Sequence, residues 1–288
     1  MDFLFERLVD WIKEALVGGI MNNFQGMFNE VNNRVGEIAA QVGSTPEGWN
    51  SGVFNMIRSL SDTVVIPIAG MILTFILCYE LIQMILAHNN MHDFETFVFF
   101  KWIFKSFVAI YILTNTFTIV MGIFEIAQQV ISGSAGVISG SLDVTLAMDT
   151  LHTELMAMEW YELLGLYLES GILSLCMKAL SVCIFLIVYG RMLEIYLTTS
   201  MAAIPLATMA NREWGQMGQN YLKSLFALAF QGFLLMVCVA IYAVLLNATI
   251  FSSNIHGAIW GVVGYTVLLC FAMFKTGALA KSILGAHG

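Results

Sequence analysis

The chain has 288 residues, 59% of them hydrophobic and 11% charged, with a mean hydropathy of +0.81. A soluble domain carries about a quarter charged residues, and so few charges would leave a very large apolar area against water, so lipid is the consistent solvent. The net charge of −8 excludes a dedicated nucleic-acid-binding module, which needs a basic patch or stripe.

The first segment, residues 1–61, reads as an amphipathic amino-terminal region outside the cytoplasm. Leu4, Leu8, Trp11, Ile12, Ala15 and Leu16 recur at helical spacing over residues 2–20, opposite Asp2, Glu6, Arg7, Asp10, Lys13 and Glu14. That helix is too charged to span a bilayer and lacks the layout of a signal peptide. It is expected on the membrane surface or against a neighbouring helix. Residues 41–52 read as a loop turning at Thr45-Pro46.

Five later stretches reach the roughly 20 apolar residues that a spanning helix needs. They cover 63–87 and 98–126 (within the segment 62–126), then 172–197, 223–249 and 256–275 (within 172–288). The last contains Gly257, Gly261 and Gly264, whose spacing permits close helix approach. Thr199 to Ala210 is apolar but short, with Pro205 near its middle, and reads as a re-entrant or interfacial piece. The fold class expected is therefore all-α: a polytopic membrane protein with five transmembrane helices, one short non-spanning segment and amphipathic helices outside the membrane.

Between the second and third spans, residues 127–171 contain no lysine or arginine and six acids: Asp143, Asp149, Glu154, Glu159, Glu162 and Glu169. Short flanking loops without basic residues are normally the translocated ones. Lys101, Lys105, Arg191, Arg212, Lys223, Lys275 and Lys281 fall on the opposite side. The pattern predicts a multi-pass membrane protein with the amino terminus outside and the carboxyl terminus inside. Within the acidic loop, residues 132–141 are small and linker-like. Val144, Met148, Leu151, Leu155 and Met158 then form a seam suited to packing on another helix, in an oligomer or against a partner.

Catalytic signatures are missing: there is no phosphate-binding loop, zinc helix or nucleophile elbow, and an enzyme is not expected. His88 and His92, with Asp93 and Glu95, surround an Asn89-Asn90 turn and read as a solvated inner loop rather than a metal site. Cys78, Cys176, Cys183, Cys238 and Cys270 all lie in apolar runs and read as small apolar residues. No cofactor is expected, bound phospholipid apart. Charged groups within spans must find partners or water. By depth, Glu80 pairs with Arg191, Lys101 or Lys105, and Lys178 with Glu125 or Glu169; Glu194 shares the inner helix end with Arg191.

The run from Gly190, Arg191 and Glu194 through small residues to Pro205, set in this architecture, resembles the TrbL-type polytopic subunit of conjugative type IV secretion systems. Its compact size is similar to versions from Gram-positive conjugative elements. The resemblance implies a channel or platform component for DNA transfer in the cytoplasmic membrane, assembled as a homo-oligomer, by resemblance a pentamer. It would work with other secretion subunits, including a stalk protein and ATPases, in contact with membrane lipids. Contact with DNA or relaxase cargo would be at most transient. The competing reading is a secondary transporter of a small solute, because Pro205 could mark a helix interrupted near mid-membrane.

Overall fold

The structure, a computed structural model, describes residues 2–87, 96–138, 145–250 and 255–286. The described residues form eleven α-helices and one π-helical turn, with no strand among them. In chain order these are α1 (Asp2–Val42), α2 (Pro46–Trp49), α3 (Ser51–Leu60), the π turn (Ser61–Val65) and α4 (Ile66–Ala87). Then come α5 (Thr96–Thr114), α6 (Thr116–Ile138), α7 (Thr145–Ala157), α8 (Trp160–Ser200), α9 (Ala203–Thr208), α10 (Gly215–Ile250) and α11 (Ile255–Ile283). Helices suit lipid, because a helix satisfies its backbone N–H and C=O groups internally where no water can.

Six helical stretches are long and apolar enough to cross a membrane: Ser51–Leu86, Phe97–Thr114, Thr116–Gly133, Trp160–Ser200, Gly215–Leu246 and Trp260–Ile283. Five were expected. The difference lies in residues 98–126, which the structure divides at Asn115 into α5 and α6. Asn115 Nδ2 donates to Tyr111 O at 2.9 Å, Thr114 Oγ1 to Ile110 O at 3.0 Å, and Thr116 Oγ1 to Ile112 O at 2.9 Å. Three consecutive polar side chains thus bond carbonyls of the preceding turn, a geometry that loosens and bends helices. The backbone ladder resumes at once, with Asn115 N to Tyr111 O at 3.2 Å and Ile119 N to Asn115 O at 3.0 Å. One residue is too short a connection to fold two helices back on each other, so the break interrupts a single helical run.

The chain divides into two compact units. The first comprises Met1–Val42, Gly133–Val188 and Leu235–Lys275. Here α1 extends well beyond the expected 2–20 and buries Val17, Ile20, Phe24, Met27, Ile38 and Val42. It runs parallel to α8: Gly19 lies against the Tyr167 ring, Asn23 Nδ2 donates to Ser170 Oγ at 3.0 Å, and the Ser181 hydroxyl donates to Glu30. Of the two placements expected for this helix, packing on a neighbour is the one observed. α8 and α11 are also parallel, joined by Trp260 Nε1 donating to Glu169 Oε1 at 2.6 Å and by Cys270 Sγ, 3.8 Å from Leu180 O. Tyr242 on α10 and Thr266 on α11 share a hydrogen bond of 2.6 Å. The expected linker at 132–141 is a correction: α6 stays helical to Ile138. Gly264 has open space at its Cβ position, so it marks no close approach between helices of this chain.

The second unit comprises Gly43–Ser132, Tyr189–Leu234 and Thr276–Gly288. Residues expected as a loop form α2, capped by Thr45 Oγ1, which accepts from Gly48 N at 3.0 Å, and lead into α3, capped by Asn50 Oδ1, which accepts from Val53 N at 3.0 Å. This corner is pinned by Tyr196, whose hydroxyl donates to Pro46 O at 2.6 Å, and by Trp49 packed edge-on against Tyr189. One core cluster joins Phe54 and Ile57 to Phe117, Val120 and Phe124 of α6, Met192 and Ile195 of α8, and Leu225 and Leu228 of α10. Another joins Val65, Ala69, Leu73 and Ile76 to Leu113 and to Ala203, Ala207 and Ala210.

That second cluster explains α9. Six residues of helix reach only about 9 Å, so α9 does not span, and it packs on α4 and α5 through its alanines. Pro205 sits inside it and supplies no N–H, while Ile204 N and Leu206 N bond Met201 O (3.3 Å) and Ala202 O (3.2 Å) on either side. Gly218 at the start of α10 lies beneath, where an added Cβ would stand 2.5 Å from Pro205 O. Gly218→Ala should therefore cost about 1–3 kcal/mol by overpacking and lower the melting temperature in detergent. Gly215→Ala, whose Cβ would meet Met209 at an ordinary 3.7 Å, should leave it unchanged. Equal melting temperatures for the two variants would refute this account of the corner.

Candidate functional site

The apolar helices carry a few charged side chains, and each is expensive in lipid unless matched. Glu80 on α4 and Lys105 on α5 form an ion pair, with side chains 25% and 40% exposed. Of the three partners expected for Glu80, the structure gives it Lys105. Lys101, one turn earlier on α5, is exposed and makes no ion pair among the described residues. The second oxygen of Glu80, Oε2, is buried without a hydrogen bond, as is Trp102 Nε1 on the facing helix.

Arg191 is therefore not spent on Glu80. It is 6% exposed, its Nη2 donates to Ala229 O at 3.4 Å, and its Nε has no partner. The guanidinium fits because position 232 is glycine: a Cβ there would stand 2.7 Å from Nη2 and 2.6 Å from Ile131 Cδ1. Glu194, one turn on, points instead to Lys281 at the end of α11, 3.5 Å away. That pair is about half exposed and is worth little by itself. Next to it, Gln231 Nε2 donates to Thr276 Oγ1 at 3.4 Å, and the Tyr221 hydroxyl donates to Thr198 O at 2.7 Å. The result is a belt of polar contacts tying α8, α10 and α11 in the second unit.

Other expected site residues fall elsewhere. Lys178 and Glu125 are both exposed, and neither makes an ion pair among the described residues. Glu169 bonds Trp260. In the seam, Val144 lies outside the described residues and Met148 is described only as part of α7. Leu155 is fully buried, Leu151 and Met158 are half-buried, and α7 packs on α1, so the seam is at least partly used inside the chain. His88, His92, Asp93 and Glu95 lie outside the described residues. No group of three metal-ligating side chains occurs among the described residues.

A polar cavity of about 320 Å³ opens beside the Asn115 break. Arg58, Asp62, Thr114, Asn115 and Thr118 line it with Ile66 and Phe117. Arg58 stands 3.9 Å from Asp62 and 6.0 Å from the centre of the Phe117 ring. The sequence reading missed this cavity and also missed Glu30 and Lys281 as partners. Glu30 was hidden by its place in a polar tail, although the i, i+4, i+7 spacing of Ile20, Phe24 and Met27 signals a helix continuing through it.

None of these groups forms a nucleophile–base pair or a metal cluster among the described residues; the arrangement holds helices together and places polarity inside lipid. Reversing the Glu80–Lys105 pair by Glu80→Lys with Lys105→Glu should restore the yield and melting temperature lost in each single variant. Glu80→Lys with Arg191→Glu should not; rescue by the second combination alone would contradict the pairing. Gly232→Ala should displace Arg191 and destabilise the protein, whereas Gly190→Ala, with nothing within 4 Å of its Cβ, should not. Equal stability of these two would refute the Arg191 packing.

The chain was compared with known proteins. A family model described as "TrbL/VirB6 plasmid conjugal transfer like protein" matches residues 31–203, more than half of the chain. No curated protein and no solved structure matches it. The match takes in α2 to α8, with the Glu80–Lys105 pair and the Arg191–Glu194 helix end, and stops just before Pro205. The chain belongs to the TrbL/VirB6 plasmid conjugal transfer-like family.

Proposed function

We propose that the protein is the channel or platform subunit of a type IV secretion machine, helping DNA–relaxase or protein cargo across the cytoplasmic membrane. Membership of a conjugal transfer family, together with six apolar helices, makes it a multi-pass membrane component of such a system. The finer role rests on one observation: the ion pairs Glu80–Lys105 and Glu194–Lys281 tie helix to helix instead of converging on one solute site. A transporter would need a pocket with interrupted helices in two related halves. Here α9 is short and packed on α4 and α5, as a structural prop.

In this reading the acidic stretch within residues 127–171 faces outward and the carboxyl-terminal end faces the cytoplasm, with the spans of α8, α10 and α11 between them. The basic residues Arg212, Lys223, Lys275 and Lys281 support that orientation. The start of α1 lies on the outer side with α7, on which α1 packs. Several copies, five by family resemblance, assemble into a ring beneath a stalk protein and above the ATPases that supply energy. The outer acids repel phosphate, so that surface docks protein, and DNA touches the subunit only in passing.

Removing the gene from a donor strain should abolish conjugal transfer, and supplying it in trans should restore it. The detergent-solubilised protein should have the mass of several copies. Unaltered transfer in the deletion strain, or a monomer stabilised by a small solute, would overturn the proposal.

A further inference from the structure

Two departures from regular α-helix face each other across the polar cavity of the second unit. In one wall the π turn, Ser61–Val65, interrupts the passage from α3 to α4 and carries Asp62. In the other, α5 gives way to α6 at Asn115, with Thr114 and Thr118 beside it. A π turn sacrifices regular helix geometry and is found frequently at functional sites. Between these walls lie about 320 Å³ of open space.

The lining carries both signs of charge, and neither is saturated. Arg58 Nε and Asp62 Oδ2 stand 3.9 Å apart, beyond hydrogen-bond distance, and neither side chain has a hydrogen bond among the described residues. Asn115 Nδ2 donates to Tyr111 O at 2.9 Å and to Thr114 Oγ1 at 3.3 Å, which leaves its Oδ1 to accept from a ligand. The Thr118 hydroxyl has no partner among the described residues. A guanidinium and a hydroxyl can thus donate, while a carboxylate and an amide oxygen can accept. A ligand of one sign would meet repulsion from Arg58 or from Asp62. A ligand holding a phosphate and an ammonium group together satisfies both. The ammonium must carry N–H bonds, because Asp62 and Asn115 Oδ1 only accept.

Its position points to a lipid as the source of those groups. α5 has 19 residues, about 28 Å of helix, close to the ~30 Å of a hydrocarbon core. Thr114 is its last residue and Ile66 the first of α4, the helix it pairs with through Lys105 and Glu80. Both helices therefore bring the cavity to one end of their apolar stretch. Next along them come Ile68 and Met71 on α4 and Ile110 and Phe107 on α5, all exposed and suited to acyl chains. We infer that the cavity binds the headgroup of a zwitterionic phospholipid with a primary amine. Arg58 and Thr118 hold its phosphate, and Asp62 and Asn115 Oδ1 hold its ammonium. The inference rests on residence of α4 and α5 in a membrane and not on the secretion role.

The test titrates the full-length protein in detergent with one lipid at a time and reads bound lipid by native mass spectrometry. Phosphatidylethanolamine should bind about tenfold more tightly than phosphatidylglycerol or phosphatidylcholine, the value of one charge-assisted hydrogen bond. Asp62→Asn should remove the preference over phosphatidylglycerol, and Arg58→Gln should weaken phosphatidylethanolamine binding about tenfold. Lys101→Gln, which removes an exposed cation elsewhere on α5, should change neither. Melting temperatures without lipid identify folded variants, and Thr118→Val takes the place of Arg58→Gln where that variant does not fold. Equal binding of the three lipids, or a preference untouched by the cavity variants, would overturn the site. Water-soluble glycerophosphoethanolamine binding as tightly as the lipid would overturn the lipid assignment in favour of a soluble ligand. None of these readouts involves conjugal transfer, so failure here would leave the secretion role standing.

Discussion

Hydrocarbon offers no partner to a charge, an amide or a backbone N–H, and nearly every feature of this chain answers that one constraint. Helices dispose of the backbone groups. The side chains are matched piece by piece: Lys105 takes Glu80, Lys281 takes Glu194, Thr276 takes Gln231, Thr266 takes Tyr242, and Ser170 takes Asn23. Each contact joins two different helices, so satisfying polarity and setting helix neighbours are one act. Interhelical bonds of this type average about 0.6 kcal/mol, and their value lies in register more than in stability. Arg191 is matched less completely, with a buried Nε and one long bond to a carbonyl.

Close approach is the second device, and it appears where glycine meets a buried polar group. Gly232 leaves room for a guanidinium and Gly218 for the carbonyl of Pro205. These two positions hold α10 against α8 and α9, with Leu225 and Leu228 sealing the layer between them. The family match ends at residue 203, just before Pro205. The α9 corner that follows is nonetheless integral to the core, through Ala203, Ala207 and Ala210.

Much of this was legible in the sequence, because apolar length and charge sparsity report directly on lipid. Helical class, the approximate spans and the non-spanning Pro205 piece follow from those two quantities. The Asn115 break was not legible: Thr114, Asn115 and Thr116 sit in an apolar run, and polar residues there bond either a neighbouring helix or their own preceding turn. In the fold they bond their own preceding turn. Charge partners were half legible. Depth placed Lys105 within reach of Glu80 but could not rank it against Arg191, since helix rotation is set by packing. The amino-terminal helix was misjudged in length, because Asn22, Gln25, Asn29 and Asn33 dilute its apolar pattern while leaving one face intact.

The proposed role stands on the threading of the last three long helices, which on this reading sets the acidic stretch and the final basic segment on opposite faces of the membrane. Cysteines replacing His152 and Ser282, both exposed, in a background free of native cysteine, measure this with an impermeant thiol reagent. The account predicts that position 152 is modified in intact cells and position 282 only after permeabilisation. The reverse pattern, or both positions reacting from the same side, would contradict it.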